Sequence, residues 1–229
     1  MEQLPLNLAP PPEPTLDNYV PGGNADAVAT LRGLIDGSGV ERWVYLWGPP
    51  GSGRSHLLRA TASTASRQGR TVHWFGRDAS RPADERFMLL IDDAHRLDPA
   101  AQMAAFDLIN ETRLAGGCLL ASGRRLARDL ALRDDLRTRF AQCLNLPLTA
   151  LSENEARAAL ETQARSLGFA MDPALVEYLM SRAPRDMSTL MAILGAIDRR
   201  SLSLHRPLTI PLLREVMQDL VAEPDIKAS

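Results

Sequence analysis

An apolar pentapeptide runs directly into a glycine-rich octapeptide at Trp43-Val44-Tyr45-Leu46-Trp47-Gly48-Pro49-Pro50-Gly51-Ser52-Gly53-Arg54-Ser55. Helical apolar spacing then continues to about Arg67, which is how a buried parallel strand entering a crossover helix reads. Gly48 to Ser55 has the form G-x-x-x-x-G-K-S in every place but the lysine. In that form the glycines turn the backbone so that successive amides and the next helix N-terminus face a di- or triphosphate, with a hydroxyl at the last place for magnesium. Pro49, Pro50, Gly51 and Ser52 make the turn, Gly53 closes it, and Ser55 supplies the hydroxyl. Arg54 keeps the positive charge of the missing lysine, but its guanidinium is planar and longer than an ammonium. It can hold phosphate oxygens without reproducing the lysine geometry that serves hydrolysis.

Four further strand candidates follow: Thr71 to Phe75, Phe87 to Ile91, Cys118 to Ala121 and Cys143 to Leu148. Helical patterns lie between most of them, so residues 23–150 are expected to form an α/β domain with a mainly parallel sheet covered on both faces. Asn24 is placed to cap a helix with apolar positions Ala27, Val28, Leu31, Leu34 and Ile35. Leu89-Leu90-Ile91-Asp92-Asp93 ends a strand with two carboxylates. Asp92 stands where ligands gather in an open α/β sheet and can join a magnesium shell; Asp93 can orient a water, though it is one methylene shorter than glutamate. His95 and the other three histidines show no metal-ligand spacing.

Beyond residue 150 strand signals cease. Ser152-Glu153-Asn154-Glu155 has capping-box form, Asp172-Pro173 and Asp186 offer further helix starts, and Thr209-Ile210-Pro211 precedes a last apolar helix. Residues 151–222 are therefore expected to be a small all-helical domain of about four helices, with a tail at 223–229. Residues 1–22 read as an arm and a proline-rich linker, since Pro10, Pro11, Pro12, Pro14 and Pro21 forbid a continuous helix.

The 229 residues carry 26 basic against 28 acidic side chains, a formal net charge of −2, which disfavours a domain that coats nucleic acid unaided. Lys227 is the single lysine among 25 arginines, so any site that ordinarily uses lysine must use arginine here. Cys118 and Cys143 lie in apolar runs and read as buried reduced thiols. There is no basic start with a following apolar run and no stretch of about 18 apolar residues, so a cytoplasmic protein without membrane contact is expected.

The phosphate loop, the Asp-Asp strand end, a polar strand tip at Ser122, Arg137-Thr138-Arg139-Phe140 and a helical second domain together resemble the AAA+ ATPases of the bacterial initiator DnaA group, over about residues 20 to 220. Within it the pattern is most similar to the DnaA-homologous regulators, the DnaA regulatory inactivator family. Three features carry this: arginine in G-P-P-G-S-G-R-S-H-L-L, a glutamine-leucine arm, and an end after the lid. The resemblance implies ADP or ATP with Mg2+ held by Gly48 to His56, Asp92 and Ser122, with Ser55 and Asp92 on the metal. It implies that Arg139 acts in trans as an arginine finger, with Arg137 the neighbour that could be confused with it. The lid arginine of relatives is replaced by Ser188, and Arg185 could substitute from one turn earlier.

The arm Gln3-Leu4-Pro5-Leu6-Asn7-Leu8 resembles the peptide that docks in the groove of the DNA polymerase sliding clamp, its β subunit. The Gln3 amide would bond groove backbone while Leu4, Leu6 and Leu8 anchor an extended strand. The function so implied is a nucleotide-bound regulator, with weak or no ATPase of its own, that reaches DNA through the clamp and stimulates hydrolysis of DnaA-bound ATP. The alternative is a self-standing AAA+ ATPase or initiator-like DNA-remodelling factor; against it stand Arg54, the short Asp93, Ser188 and the lack of residues after the lid for a helix-turn-helix domain. A pure adaptor with a vestigial nucleotide site is a third reading, and self-association into a homodimer stays open.

Overall fold

The computed structural model describes residues 14–168, 171–183, 187–204 and 209–222. Gln3, Leu4, Leu6, Leu8, Arg185 and the tail at 223–229 lie outside the described residues. The chain divides into two units, with the α/β unit running from Pro14 to Leu151 and the helical unit beginning at Ser152.

Five strands form the sheet of the first unit: β1 Trp43–Trp47, β2 Thr71–Trp74, β3 Phe87–Ile91, β4 Cys118–Gly123 and β5 Leu144–Pro147. Their order is β2-β3-β4-β1-β5 and every pairing is parallel. Helices α1 Ala25–Asp36, α2 Arg54–Arg67, α3 Pro99–Leu114 and α4 Asp134–Ala141 provide the connections and cover. β3 and β4 are buried at every position, so neither shows polar alternation. Alternate residues feed two separate cores. Val44, Leu46, Met88, Leu90 and Leu120 pack with Leu31, Leu57 and Leu58 on one face. Tyr45, Leu89, Ile91, Leu119 and Ala121 pack with Ile109, Leu136 and Phe140 on the other. Each fully buried large side chain of this set contributes about 1.5–3 kcal/mol. Both cysteines are free and buried, and burial pushes the Cys143 thiol up to about 12.

Two local expectations change. Asn24 does not cap α1 with its side chain, because that side chain is buried and turned to Tyr19 and Thr149. Residues 14–22, read as the end of a linker, belong to the α/β unit. Leu16 is 7% exposed within the core that α1 and α2 share, and Tyr19 packs against it.

On β2, His73 is 4% exposed, with Nδ1 2.9 Å from the Ser80 hydroxyl and its ring 5.7 Å from that of Phe87. Burial holds its pKa below the ordinary value, and the opposing pull of Asp78 does not restore it. The unfolded chain therefore takes up a proton at a pH where the folded chain does not. The contribution of a neutral His73 is complete above about pH 6.5 and is lost as pH falls from there toward the lower folded value. Urea midpoints are expected to fall between pH 7.5 and 5, and His73→Gln is expected to flatten part of that decline. An unchanged acid slope in the variant would contradict the assignment.

The helical unit contains α5 Glu153–Ser166, α6 Pro173–Arg182, α7 Met187–Leu204 and α8 Ile210–Ala222. The capping box at Ser152 is formed in both directions, with Ser152 Oγ accepting from Glu155 N–H and Glu155 Oε2 accepting from Ser152 N–H at 2.8 Å. Asp172 caps α6, with Pro173 at its first position. Leu160, Leu175, Leu179, Leu194, Ile197 and Leu213 form this unit's own core, and Arg157 pairs with Glu177 at 2.7 Å on its surface. The helix start expected at Asp186 lies outside the described residues. No helix among the described residues is long and apolar enough to cross a membrane.

Candidate nucleotide site

The turn from β1 into α2 is built as an anion cradle. Gly51 and Gly53 have φ of 81° and 88°, a left-handed backbone that L side chains rarely adopt, and it re-aims the loop amides. Gly48 has no space for a side chain, since a Cβ there would stand 2.3 Å from the Leu148 carbonyl oxygen and 2.8 Å from Ser52 Oγ. Gly53 gives α2 no capping side chain, so the first amides of the helix depend on something outside it. Ser52 Oγ is buried and has no hydrogen-bond partner among the described residues. An orphaned hydroxyl, uncapped amides and a helix N-terminus in one turn fit the phosphates of a nucleotide.

The segment before α1 roofs this turn. Tyr19 donates its hydroxyl hydrogen to the Ser52 carbonyl at 3.3 Å and accepts from Asn24 Nδ2 at 2.9 Å. Asn24 Nδ2 also donates to the Thr149 carbonyl at 2.9 Å, while Asn24 Oδ1 accepts from the Thr149 amide at 2.8 Å. One asparagine thereby ties the loop, its roof and the residue that follows β5 by two positions. His56 lies beneath Tyr19, ring centroids 5.5 Å apart, with Nε2 3.3 Å from the Thr15 carbonyl. A carbonyl only accepts, so Nε2 carries the hydrogen, and burial keeps the ring's pKa below its ordinary value.

The acidic end of β3 faces the same loop. Ser122 Oγ donates to Asp92 Oδ1 at 2.6 Å, and the Asp93 amide is shared between Asp92 Oδ1 and Ser122 Oγ at 3.0 Å each. Asp92 Oδ2 takes no hydrogen bond from the described residues. It and the Ser55 hydroxyl are oxygen donors of the kind that suits a magnesium ion otherwise held by phosphates and water. No cluster of three or more His, Cys, Asp or Glu that could hold a metal by itself occurs among the described residues.

Asp93 is the one non-glycine residue with positive φ among the described residues, at 49°. Its Oδ1 lies 3.2 Å from Arg54 Nη1, and Arg54 is only 9% exposed. Neither atom achieves hydrogen-bond geometry, so the contact is one of charge. Arg96 Nη1 approaches Asp93 Oδ2 at 3.7 Å and His95 Nδ1 lies 3.8 Å from Oδ1. Burial lowers the His95 pKa; Asp93 opposes this, while Arg124, Arg54 and Arg96 add to it. Tyr45, buried behind this cluster, donates its hydroxyl to the Arg125 carbonyl at 3.0 Å, and burial raises its pKa.

Away from the loop, Arg139 lies in the last turn of α4 with its guanidinium 5.6 Å over the Phe106 ring. Phe106, Asp134, Asp135, Thr138 and Arg139 line an open groove of about 370 Å³. Arg139 makes no ion pair among the described residues, whereas Arg137 is held by Asp134 at 2.7 Å. Of the residues that make this site, sequence reasoning missed Tyr19, which sat in an apparent linker, and mistook Asn24 for a cap; Phe106 carried no signal beyond that of an ordinary apolar helix position.

An all-parallel sheet with a phosphate loop after β1, acids after β3, a buried serine in β4 and a helical unit following it is the architecture of the AAA+ proteins. Solved structures agree. Domain III of the replication initiation protein DnaA from Thermotoga maritima superposes with a TM-score of 0.71 at 16% identity, covering 93% of this chain and 98% of that one. AMPPCP-bound DnaA from Aquifex aeolicus gives 0.66 at 16% identity, with 92% and 70% covered. The Thermotoga maritima RuvB Holliday junction branch migration motor gives 0.63 at 18%, with 90% and 72% covered. At such identities these likenesses establish the fold. Residues 153–217 match the family model described as Hda, lid domain. The helical unit thus matches a lid of the Hda type, and the α/β unit before it has the fold of the DnaA and RuvB structures.

Proposed function

We propose that the chain is a nucleotide-bound, cytoplasmic regulator of chromosomal replication initiation that docks on the DNA sliding clamp and stimulates hydrolysis of DnaA-bound ATP. The observation that carries this reading is an Hda-type lid joined to an α/β unit whose Arg139 is unpaired among the described residues and beside an open groove. A guanidinium so placed can neutralise charge developing on a phosphoryl group in a partner's site. ADP or ATP with Mg2+ is the expected ligand of this chain's own loop, with Gly48 to His56, Asp92 and Ser122 around it. The DnaA of Aquifex aeolicus holds AMPPCP on the same fold, which supports an adenine nucleotide here. Arg54 paired with Asp93 weighs against a self-standing ATPase, because both groups that hydrolysis would use are occupied by each other.

The arm is the proposed link to DNA. Gln3, Leu4, Leu6 and Leu8 would fill the clamp groove, and the proline-rich stretch after them has the composition of a spacer. The test is a reconstitution of ATP-bound DnaA, clamp loaded on DNA, and this chain. ATP on DnaA is expected to be hydrolysed only when all three are present. Replacing Gln3 and Leu4 by alanine is expected to abolish co-elution with the clamp and, with it, the stimulation. Co-elution that persists in the double variant would place docking elsewhere, and hydrolysis independent of the clamp would overturn the reading.

A further inference from the structure

Two strand connections leave the same edge of the sheet side by side, because β3 and β4 are neighbours and parallel. The first, Asp92-Asp93-Ala94-His95-Arg96-Leu97-Asp98, and the second, Arg124-Arg125-Leu126-Ala127-Arg128-Asp129, carry four exposed arginines between them. Arg96 and Arg128 are 72% and 76% exposed, and Arg124 and Arg125 make no ion pair among the described residues. The acids nearby are engaged. Asp92 accepts from the Ser122 hydroxyl, Asp93 meets Arg54, Asp98 caps α3 through the Ala101 amide at 2.8 Å, and Asp129 faces Arg128 at 3.8 Å. Of these acids only Asp98 and Asp129 are exposed, so the solvent side of this edge holds an excess of positive charge in a chain whose net charge is −2. The backbone beneath the arginines is fixed. Tyr45 donates its hydroxyl to the Arg125 carbonyl at 3.0 Å, the Ala127 amide donates to Asn145 Oδ1 at 3.4 Å, and Ala127 and Leu130 are buried in the core. Cations presented on a fixed backbone lose less freedom on binding than cations on a loose loop.

What the two connections lack narrows the partner. Neither has a Phe, Tyr or Trp, so there is no platform on which unpaired bases would stack. Neither has an exposed large apolar side chain to anchor a protein interface; among the described residues those are Val40, Met103 and Leu114. Arginines without either companion fit a regular array of phosphates. We infer that the edge carrying Arg96, Arg124, Arg125 and Arg128 is a contact surface for the phosphate backbone of duplex DNA. The choice of DNA rests on the reading above, in which the clamp brings this chain to a duplex. Tethering supplies a high local concentration, so a contact too weak to coat DNA unaided still acts there.

The test is fluorescence anisotropy of a labelled duplex of about 30 base pairs, titrated with the full-length protein without clamp between about 25 and 150 mM NaCl. Saturable binding is expected, and log K should fall against log salt with a slope of about −3, as about three to four engaged phosphates require. Arg124→Ala with Arg125→Ala is expected to make that slope shallower by about 2 and to weaken binding about tenfold or more at the lowest salt. The bond from Tyr45 uses the Arg125 carbonyl and survives the change, so Tm should stay at the wild-type value. Arg96→Ala with Arg128→Ala is the second pair and should act alike. Arg59→Ala with Arg67→Ala removes the same charge from exposed positions of α2 and should keep the slope and leave affinity within about twofold. No duplex binding at about 25 mM salt, an equal loss from the α2 pair, or a single strand bound more tightly than the duplex would overturn the surface. Displacement of the duplex by saturating ADP with Mg2+ would overturn it by assigning these arginines to the nucleotide site, and a polyglutamate chain bound as tightly would assign them to an acidic protein. Duplex binding that fails while clamp co-elution holds defeats this inference alone; co-elution that fails while duplex binding holds defeats the docking reading alone.

Discussion

Replacing Arg139 with alanine is expected to lower clamp-dependent hydrolysis of DnaA-bound ATP by about 10³-fold or more, the range in which a trans-acting arginine contributes. Clamp co-elution and thermal stability should stay unchanged. The fold tolerates the change because α4 is anchored by Leu136 and Phe140, both fully buried, and Arg139 makes no ion pair among the described residues. Its contact with Phe106 is a cation–π pair at 5.6 Å, worth about 0.5–1 kcal/mol at an accessible site. That is enough to orient the guanidinium and too little to prevent its transfer to a phosphate. Arg137 is the internal control: Asp134 holds it at 2.7 Å, so Arg137→Ala is expected to keep stimulation within about threefold of wild type. Arg139→Lys keeps the charge and loses the planar fork, and should recover only a part of the rate. A full rate in Arg139→Ala with a lost rate in Arg137→Ala would move the finger to the earlier arginine.

What could be read in the sequence and what could not divide along the range of the interactions involved. The β1–loop–α2 passage was legible because each signal in it is local: an apolar run, glycines, then helical spacing, with α2 observed from Arg54 to Arg67 as expected. The capping box at Ser152 and the Asp172-Pro173 start were legible for the same reason. Asn24 was not, since its partner Thr149 lies 125 positions away and a capping role is the usual local use of an asparagine before a helix. Tyr19 was hidden by the prolines around it. Its place over Gly53, where a Cβ would come within 2.6 Å of its ring, follows from tertiary packing alone. The Arg54–Asp93 pair joins the ends of two different strand connections, so neither residue's neighbours in sequence announce it. The sequence points to both residues at the candidate phosphate site; that they engage each other is visible only in three dimensions.

Gly48→Ala is expected to damage both the fold and the candidate nucleotide site, while the same change at Gly195 should stabilise the fold and spare that site. A Cβ at Gly48 meets the Leu148 carbonyl oxygen at 2.3 Å and its carbonyl carbon at 3.2 Å. Leu148 cannot retreat, for its amide donates to the Trp47 carbonyl at 2.7 Å and its side chain is 2% exposed in the core. Relief must come from the β1–β5 pairing or from the loop itself. Overpacking of this kind costs about 1–3 kcal/mol, which for a chain of this size lowers Tm by about 2–4 °C for each kcal/mol. If the loop gives way instead, its amides lose their aim and nucleotide affinity should fall by more than about tenfold. Gly195 lies within α7, and among the described residues a Cβ there meets the end of the Arg199 side chain at 3.5 Å and nothing else. Alanine should stabilise that helix by about 0.5–1 kcal/mol and leave nucleotide binding alone. Thermal melts and ADP titrations on the two variants therefore separate a glycine required by close backbone approach from one that merely costs helix stability. A Gly48→Ala protein with wild-type Tm and wild-type affinity would show that the loop does not hold phosphate in the conformation described.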